Sequence, residues 1–278
     1  MFHLARIAYP IDFSDRCVAT AECVKALAGR FHSEVDLIYV LAPYRPHVAA
    51  FDMLSMLPES VESLHEGLKA QMDCFLQKEF SGMRARRFLA EGDPAQAIVQ
   101  HAHELSADLI LMPTRGMGAF RRYVIGSTTA KVLHDADCPV WTGVHLEHAP
   151  PARSELRHIV CAVDLGPQSL KALSWAAGLA SEFQSKVTLL HVAHDWNCPP
   201  GQRARVLDEL NRIQIAAGAA CETCTETGEP AKTVVALAAA LKADLLVIGR
   251  SPHDARTGRL RANAYSIISQ SPCPVVSV

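Results

Sequence analysis

No stretch of the chain stays apolar for the ~18 residues that a membrane-spanning helix needs, so no membrane segment is expected. The opening run MFHLARIAYPIDF enters a strand pattern directly, without the basic stretch and apolar core of an export signal. An excess of one charge is also missing: 27 lysines and arginines stand against 29 aspartates and glutamates, a formal net charge of −2. That balance argues against a nucleic-acid partner, which would be held by neutralising phosphates with basic side chains. Nine cysteines, an odd number scattered through apolar segments, fit reduced thiols rather than a disulfide framework. The cytoplasm is the expected compartment. The chain has no GxSxG elbow, HExxH helix or GxxxxGK[ST] loop.

What is present is an ordinary globular composition, 49% apolar and 20% charged, in 278 residues. That length suggests about two domains of ~140 residues, each able to form its own core. The stretch from Asp108 to Val144 organises the rest. Asp108–Pro113 is a short apolar run ended by proline and reads as a buried strand. A polar glycine-bearing loop follows, and Gly126-Ser127-Thr128 opens a helix carrying Ala130, Val132, Leu133 and Ala136. A strand feeding a helix N-terminus through such a loop can hold phosphate, because unpaired N–H groups and the helix dipole both favour an anion there. Gly116 and Gly126 would let backbone approach it, Ser127 and Thr128 offer hydroxyls, and Arg115, Arg121 and Arg122 offer positive charge. On the loop alone, an anion site and a turn whose glycines serve geometry weigh equally.

From its start the chain alternates strand and helix patterns. Arg6–Ile11 is a strand, and Ser14 is placed to cap a helix with Cys17, Ala21, Val24 and Ala28 on one face. Val35–Leu41 is a second strand, and residues 42–57 form an irregular connection. A helix is expected from about Glu59 to Phe80, a strand near Arg87–Glu91, a turn at Gly92-Asp93-Pro94, and a helix over Ala95–Leu105. Cys138-Pro139-Val140-Trp141 begins the last strand of this unit. Strands alternating with helices argue βαβ units and a mostly parallel sheet.

After a proline-bearing linker, 145–156, the pattern restarts. Arg157–Asp164 echoes Arg6–Asp12, and Val187–Val192 echoes the second strand. Gly228-Glu229-Pro230-Ala231 echoes Gly92-Asp93-Pro94-Ala95, Ala243–Leu246 echoes Ala107–Ile110, and Cys273-Pro274-Val275 echoes Cys138-Pro139-Val140. Anchors in the same order at a near-constant offset mark a duplicated α/β domain, residues 1–145 and 156–278. The second copy differs at the loop, Ile248-Gly249-Arg250-Ser251-Pro252, and its helix opens near Arg261-Ala262-Asn263. Side chains stand where backbone would approach phosphate. Arg250, Arg256, Arg259 and Arg261 read as a solvated basic loop rather than an anion site.

These residues carry a resemblance to the universal stress protein family, as a tandem of two such domains covering nearly all of the chain. The family signature is glycine, two residues, glycine, nine residues, then Gly-Ser or Gly-Thr, facing an aspartate that ends the first strand. Here Pro113 stands in the first position, followed at the same spacing by Gly116 and Gly126-Ser127. The resemblance implies two tandem doubly wound five-stranded parallel-sheet domains, adenine nucleotide alpha hydrolase-like, with ATP at the C-terminal sheet edge where strand order reverses. Carried over position by position, Asp12 would take the ribose hydroxyls with Pro10 and Ile11 beside it. Val40 and Met112 would border the adenine, and Gly116, Gly126, Ser127 and Thr128 the phosphates. Arg115 stands where the family often has histidine, and Pro113 removes one backbone N–H from the loop. The expectation is ATP or another adenine nucleotide, with Mg²⁺ as a possible companion, in the first domain alone. Asp164 and Val192 survive in the second without the phosphate loop.

No convincing general base accompanies Asp12, and the HxGH motif of related nucleotidyltransferases is missing. The expected role is therefore non-catalytic nucleotide binding in a stress response. A slow ATPase switch and a ligand-free interaction module are the alternatives. Cys221-Glu222-Thr223-Cys224 is a CxxC on a strand, where residues three apart point to opposite faces, so a structural role is expected. Cys17, in a first helical turn, reads as core packing. His32, His65, His101, His103 and His134 show no ligand spacing and read mostly as surface residues; Arg84, Arg86 and Arg87 read as a solvated strand end. In the family the last strand pairs across a two-fold. Cys138–Val144 and Cys273–Val278 would form that pair within one chain, an internal pseudo-dimer that covers two edges, and a further homodimer is open.

Overall fold

A computed structural model describes residues 2–42, 58–114, 125–143, 156–193, 201–250 and 262–278. Its first half runs β1 (Arg6–Ile11), α1 (Asp15–Phe31), β2 (Glu34–Leu41), α2 (Pro58–Cys74), β3 (Ala85–Glu91), α3 (Pro94–Glu104), β4 (Leu109–Leu111), α4 (Ser127–Asp135) and β5 (Val140–Thr142). The second half repeats the order as β6 (His158–Val163), α5 (Ser169–Phe183), β7 (Lys186–Ala193), α6 (Gln202–Ala217), β8 (Glu222–Thr227), α7 (Pro230–Ala240), β9 (Leu245–Ile248), α8 (Ala262–Gln270) and β10 (Val275–Ser277).

The strands form one ten-stranded sheet in the order β3-β2-β1-β4-β5-β10-β9-β6-β7-β8. All neighbours are parallel except β5 and β10, which pair antiparallel as Val275↔Thr142, Val276↔Trp141 and Ser277↔Val140. The strand interiors are apolar on both faces, as a sheet covered on both sides requires. Ile7, Tyr9, Leu37, Leu109 and Leu111 meet α1 on one face, and Ile159, Cys161, Leu245 and Val247 meet α5. Ala8, Ile38, Ile110 and Val140 meet α3 and α4 on the other, and Val160, Leu246 and Val275 meet α7 and α8.

Local signals set the element starts. The Ser14 hydroxyl accepts the Cys17 amide at 3.4 Å, and Cys17, Ala21, Val24 and Ala28 are all buried as their spacing requires. Asp93 accepts the Ala95 and Gln96 amides at 3.1 and 3.2 Å with Pro94 in the first turn, and Glu229 with Pro230 repeats the device.

Two expectations are corrected. The helix expected to reach Phe80 ends at Cys74, because Leu76 turns to φ 54° and the chain folds Leu76 and Phe80 into the core. Arg86 and Arg87 are not a solvated strand end. Arg86 grips the fully buried Asp36 carboxylate at 2.8 and 3.0 Å, and Arg87 donates to the Phe75 carbonyl at 3.0 Å. A buried carboxylate must be paired, and Arg86 supplies the pairing, with the Arg6 Nε 3.6 Å away on β1. Arg84, with an 80% exposed side chain, matches the expectation. The connection over 43–57 and linker residues 144–155 lie outside the described residues.

Candidate functional site

In the first half the chain leaves β1 toward β2 and β3 on one side, and β4 and β5 lie on the other, so strand order reverses between β1 and β4. The β1–β4 ladder stops at Ala8↔Ile110, whereas β1 and β2 stay paired as far as Ile11↔Tyr39. Pro10 lies beyond the last β1–β4 pair and has no N–H with which to extend that ladder. The strands therefore part at their carboxyl ends, the place where open α/β sheets take ligands.

Asp12 follows β1 at this edge. Its Oδ1 accepts the Ser14 amide at 3.1 Å, the Ser14 hydroxyl at 2.5 Å and the Cys17 thiol at 3.1 Å, which fixes the carboxylate. Phe13 adopts φ 61° to make this turn and stacks its ring 4.5 Å from Tyr39 and 5.1 Å from Phe75. Cys17 is buried, and burial with the neighbouring Asp12 charge pushes its thiol up to about 12, so it is a core group and not a nucleophile.

Among the other expected residues, the Ile11 and Met112 side chains belong to the two core faces, and Met112 gives its amide to the Trp141 carbonyl at 3.0 Å. Val40 is partly exposed at the end of β2. Pro113 is buried, and its carbonyl accepts the Thr129 hydroxyl at 3.3 Å. Thr114, also buried, accepts the Gly126 amide at 2.9 Å through its carbonyl, while its hydroxyl has no partner among the described residues. Arg115, Gly116, Arg121 and Arg122 lie outside the described residues. Gly126 is the N-cap of α4 at φ −61°, a conformation any residue adopts, so the glycine is not demanded by its backbone angles. It brings no side-chain cap to the first turn, which leaves Ser127 exposed and Thr128 partly exposed at the helix start. Pro113, Thr114 and Thr129 thus tie the end of β4 to the start of α4. Among the described residues no three His, Cys, Asp or Glu gather as a metal site.

The second half repeats the turn, but its β6–β9 ladder runs two pairs further, to Ala162↔Ile248. Leu165 takes φ 61° as Phe13 does, and Asp164 accepts the Gly166 amide at 2.8 Å. At the end of β9, however, a Cβ on Gly249 would lie 3.1 Å from the Gln168 Cβ and 3.5 Å from the Gln168 carbonyl. The start of α5 therefore packs against the β9 end. Arg250 also departs from expectation: it is no solvated loop cation but reaches the first half, donating to the Leu133 carbonyl at 3.1 Å and the Cys138 carbonyl at 2.6 Å. Arg256, Arg259 and Arg261 lie outside the described residues. Tyr265, on α8, accepts the Ile125 amide at 3.2 Å, again across the halves. Sequence reading missed Phe13, Tyr39, Thr114, Thr129 and Tyr265, since their roles come from neighbours distant in the chain.

Cys221 packs toward one core face and Cys224 toward the other, and burial raises both thiols. His32, His65 and His103 are exposed, whereas His101 is half-buried against Phe88, ring centroids 4.2 Å apart. No helix among the described residues is long and apolar enough to cross a membrane.

Comparison with known proteins agrees with this geometry. The universal stress protein family profile matches residues 3–142 and again 155–278. A universal stress protein of Mycolicibacterium smegmatis is 26% identical over 285 residues, covering 96% of this chain and 94% of its own. One from Methanocaldococcus jannaschii is 32% identical over 139 residues, 49% of this chain and 79% of its own. The crystal structure of a universal stress protein from Archaeoglobus fulgidus, 22% identical, superposes with a TM-score of 0.76 over 99% of this chain and 98% of its own. A fold repeated twice, joined through its last strands and matched by the family profile in both halves, places this chain in the universal stress protein family.

Proposed function

We propose that the protein binds ATP or another adenine nucleotide at the first half's switch point and acts through occupancy rather than turnover, as a cytoplasmic stress-response protein. The carrying observation is the contrast between the halves. The first parts β1 from β4 after Ala8↔Ile110, beside a fixed Asp12 and an α4 start without a side-chain cap. In the second, β6 and β9 stay paired two residues further, to Ala162↔Ile248. Asp12 suits the ribose hydroxyls, because its carboxylate is already oriented by Ser14 and Cys17. The first-turn amides of α4, with Ser127 and Thr128, suit phosphate. Pro10 and Ile11 lie beside Asp12 at the ribose, and Val40 and Met112 suit the border of the base. Mg²⁺, if carried, would enter on the nucleotide's phosphates, since no three His, Cys, Asp or Glu gather to hold it among the described residues.

A ligand-free interaction module is the second reading, favoured by Pro113, which is buried and offers the loop no amide. The test is the thermal midpoint of the purified chain with and without excess Mg-ATP, beside Gly126→Val. A ligand that binds only the folded state adds ~2.7 kcal/mol at a hundredfold excess over its dissociation constant. A shift in the wild type that vanishes in the variant supports the nucleotide reading. No shift selects the interaction module, and phosphate release lost in Asp12→Ala would instead make the protein a slow ATPase.

A further inference from the structure

The two halves do not treat each other alike. The second half reaches both ends of α4 in the first. At the start, the Tyr265 hydroxyl accepts the amide of Ile125, the residue before the N-cap, at 3.2 Å. At the other end, the Arg250 guanidinium donates to the carbonyl of Leu133, in the last turn, at 3.1 Å and to that of Cys138, just past the helix, at 2.6 Å. A cation there opposes the negative end of the helix dipole and satisfies carbonyls that the helix cannot.

By the repeat, the first-half counterparts of these residues are Ala130 and Thr114. Alanine has no polar side-chain group to return, and the Thr114 hydroxyl has no partner among the described residues. Among the described residues, therefore, the second half holds α4 while no counterpart hold on α8 returns from the first. The first half reaches back elsewhere, through Arg30, which donates to the Glu182 carbonyl at the end of α5. The α4 helix has nine residues, shorter than the ~12–15 at which an isolated helix becomes even marginally stable, so contacts at its ends fix its position.

We propose that Tyr265 and Arg250 are positioning residues that the second half supplies to the first, holding α4 so that its N-terminus meets the phosphates of a bound nucleotide. The proposal rests on the nucleotide reading above and gives the second half a task in place of a ligand of its own. It also makes the coupling reciprocal: phosphate bound at α4 tightens the contact between the halves by the factor with which that contact tightens phosphate.

The experiment is calorimetric titration of full-length wild type, Tyr265→Phe and Arg250→Lys with Mg-ATP and, separately, with adenosine, which has no phosphate. Loss of one hydrogen bond to the helix start is expected to weaken Mg-ATP about two- to tenfold in Tyr265→Phe while adenosine affinity stays unchanged. Arg250→Lys, which keeps the charge but loses the double contact, is expected to shift the same way. Equal Mg-ATP binding by wild type and Tyr265→Phe overturns the proposal, and so does an equal loss for adenosine, which would mark general destabilisation. A wild type that binds neither ligand removes the nucleotide reading itself, and this proposal with it, before any variant is compared. Should the variants not fold, amide exchange in the wild type decides. Slowing at Ile125 by Mg-ATP but not by adenosine supports the proposal, and equal slowing by both overturns it.

Discussion

Phe13 shows how one residue serves packing at the cost of backbone strain. Its φ of 61° is costly for a bulky side chain, by about 1–2 kcal/mol, yet it brings the ring against Tyr39 and Phe75. Phe13→Gly would relieve that strain and lose the packing of a partly buried ring, less than the ~3–5 kcal/mol of a fully buried one. A net destabilisation of about 1 kcal/mol is therefore expected from urea unfolding. Cys17 yields a pH prediction. Its thiol titrates near 9.0 when unfolded and is pushed up to about 12 when folded, so the native state holds the proton more tightly. That contribution is complete below pH 9 and is lost as pH rises toward 12, at no more than ~1.4 kcal/mol per pH unit. Urea midpoints measured at pH 8, 9 and 10 should fall less steeply in Cys17→Ala than in the wild type. A thiol reagent applied to the native protein at pH 8 should mark exposed Cys74 and spare buried Cys17, Cys161 and Cys273.

At the scale of elements, the seam between β5 and β10 brings backbone close against backbone. A Cβ on Gly143, just past β5, would lie 2.9 Å from the Pro274 Cα, a backbone atom that cannot move aside cheaply. Gly143→Ala is therefore expected to cost about 1–3 kcal/mol, read from the urea midpoint at constant m-value. Asp93 joins two elements, capping α3 and meeting Lys131 of α4 at 2.9 Å. Asp93→Ala should cost about 1 kcal/mol, mostly through the cap, and Lys131→Ala a few tenths, because the ion pair is exposed. Element starts were legible because their signals are local: Ser14, Asp93-Pro94 and Gly126 stand at the observed caps. The end of α2 was not, because Leu76 and Phe80 leave the helix for a core built by other strands. The same reason hid Arg86, whose partner Asp36 is 50 residues away.

The whole molecule unites its halves through the shared sheet and an aromatic seam. Phe2 lies 5.8 Å from Phe31 and 5.5 Å from Trp175, Trp141 lies 6.4 Å from Trp175, and the Arg30 guanidinium sits 4.4 Å above the Phe183 ring. A side chain at Gly178 would collide with Phe2, its Cβ 2.5 Å from the Phe2 ring. The halves are therefore expected to unfold as one unit, with tryptophan fluorescence and far-UV circular dichroism giving coincident transitions. Gly178→Val should separate the two curves by loosening the seam, and a wild type already unfolding in two steps would contradict the expectation.

The sequence by itself determined the α/β alternation, the duplication, the family resemblance and the asymmetry between the two loops. Each is written in periodicity, caps and spacing, which act over a few residues or recur at a fixed offset. Only the tertiary structure decided that Gln168 packs against the second switch point and that Asp36 is neutralised by Arg86. It likewise decided that Arg250 and Tyr265 turn away from their own half to hold α4. A side chain's hydrogen-bond partner across a sheet seam is fixed by how strands pair and helices stack, and no local pattern encodes that.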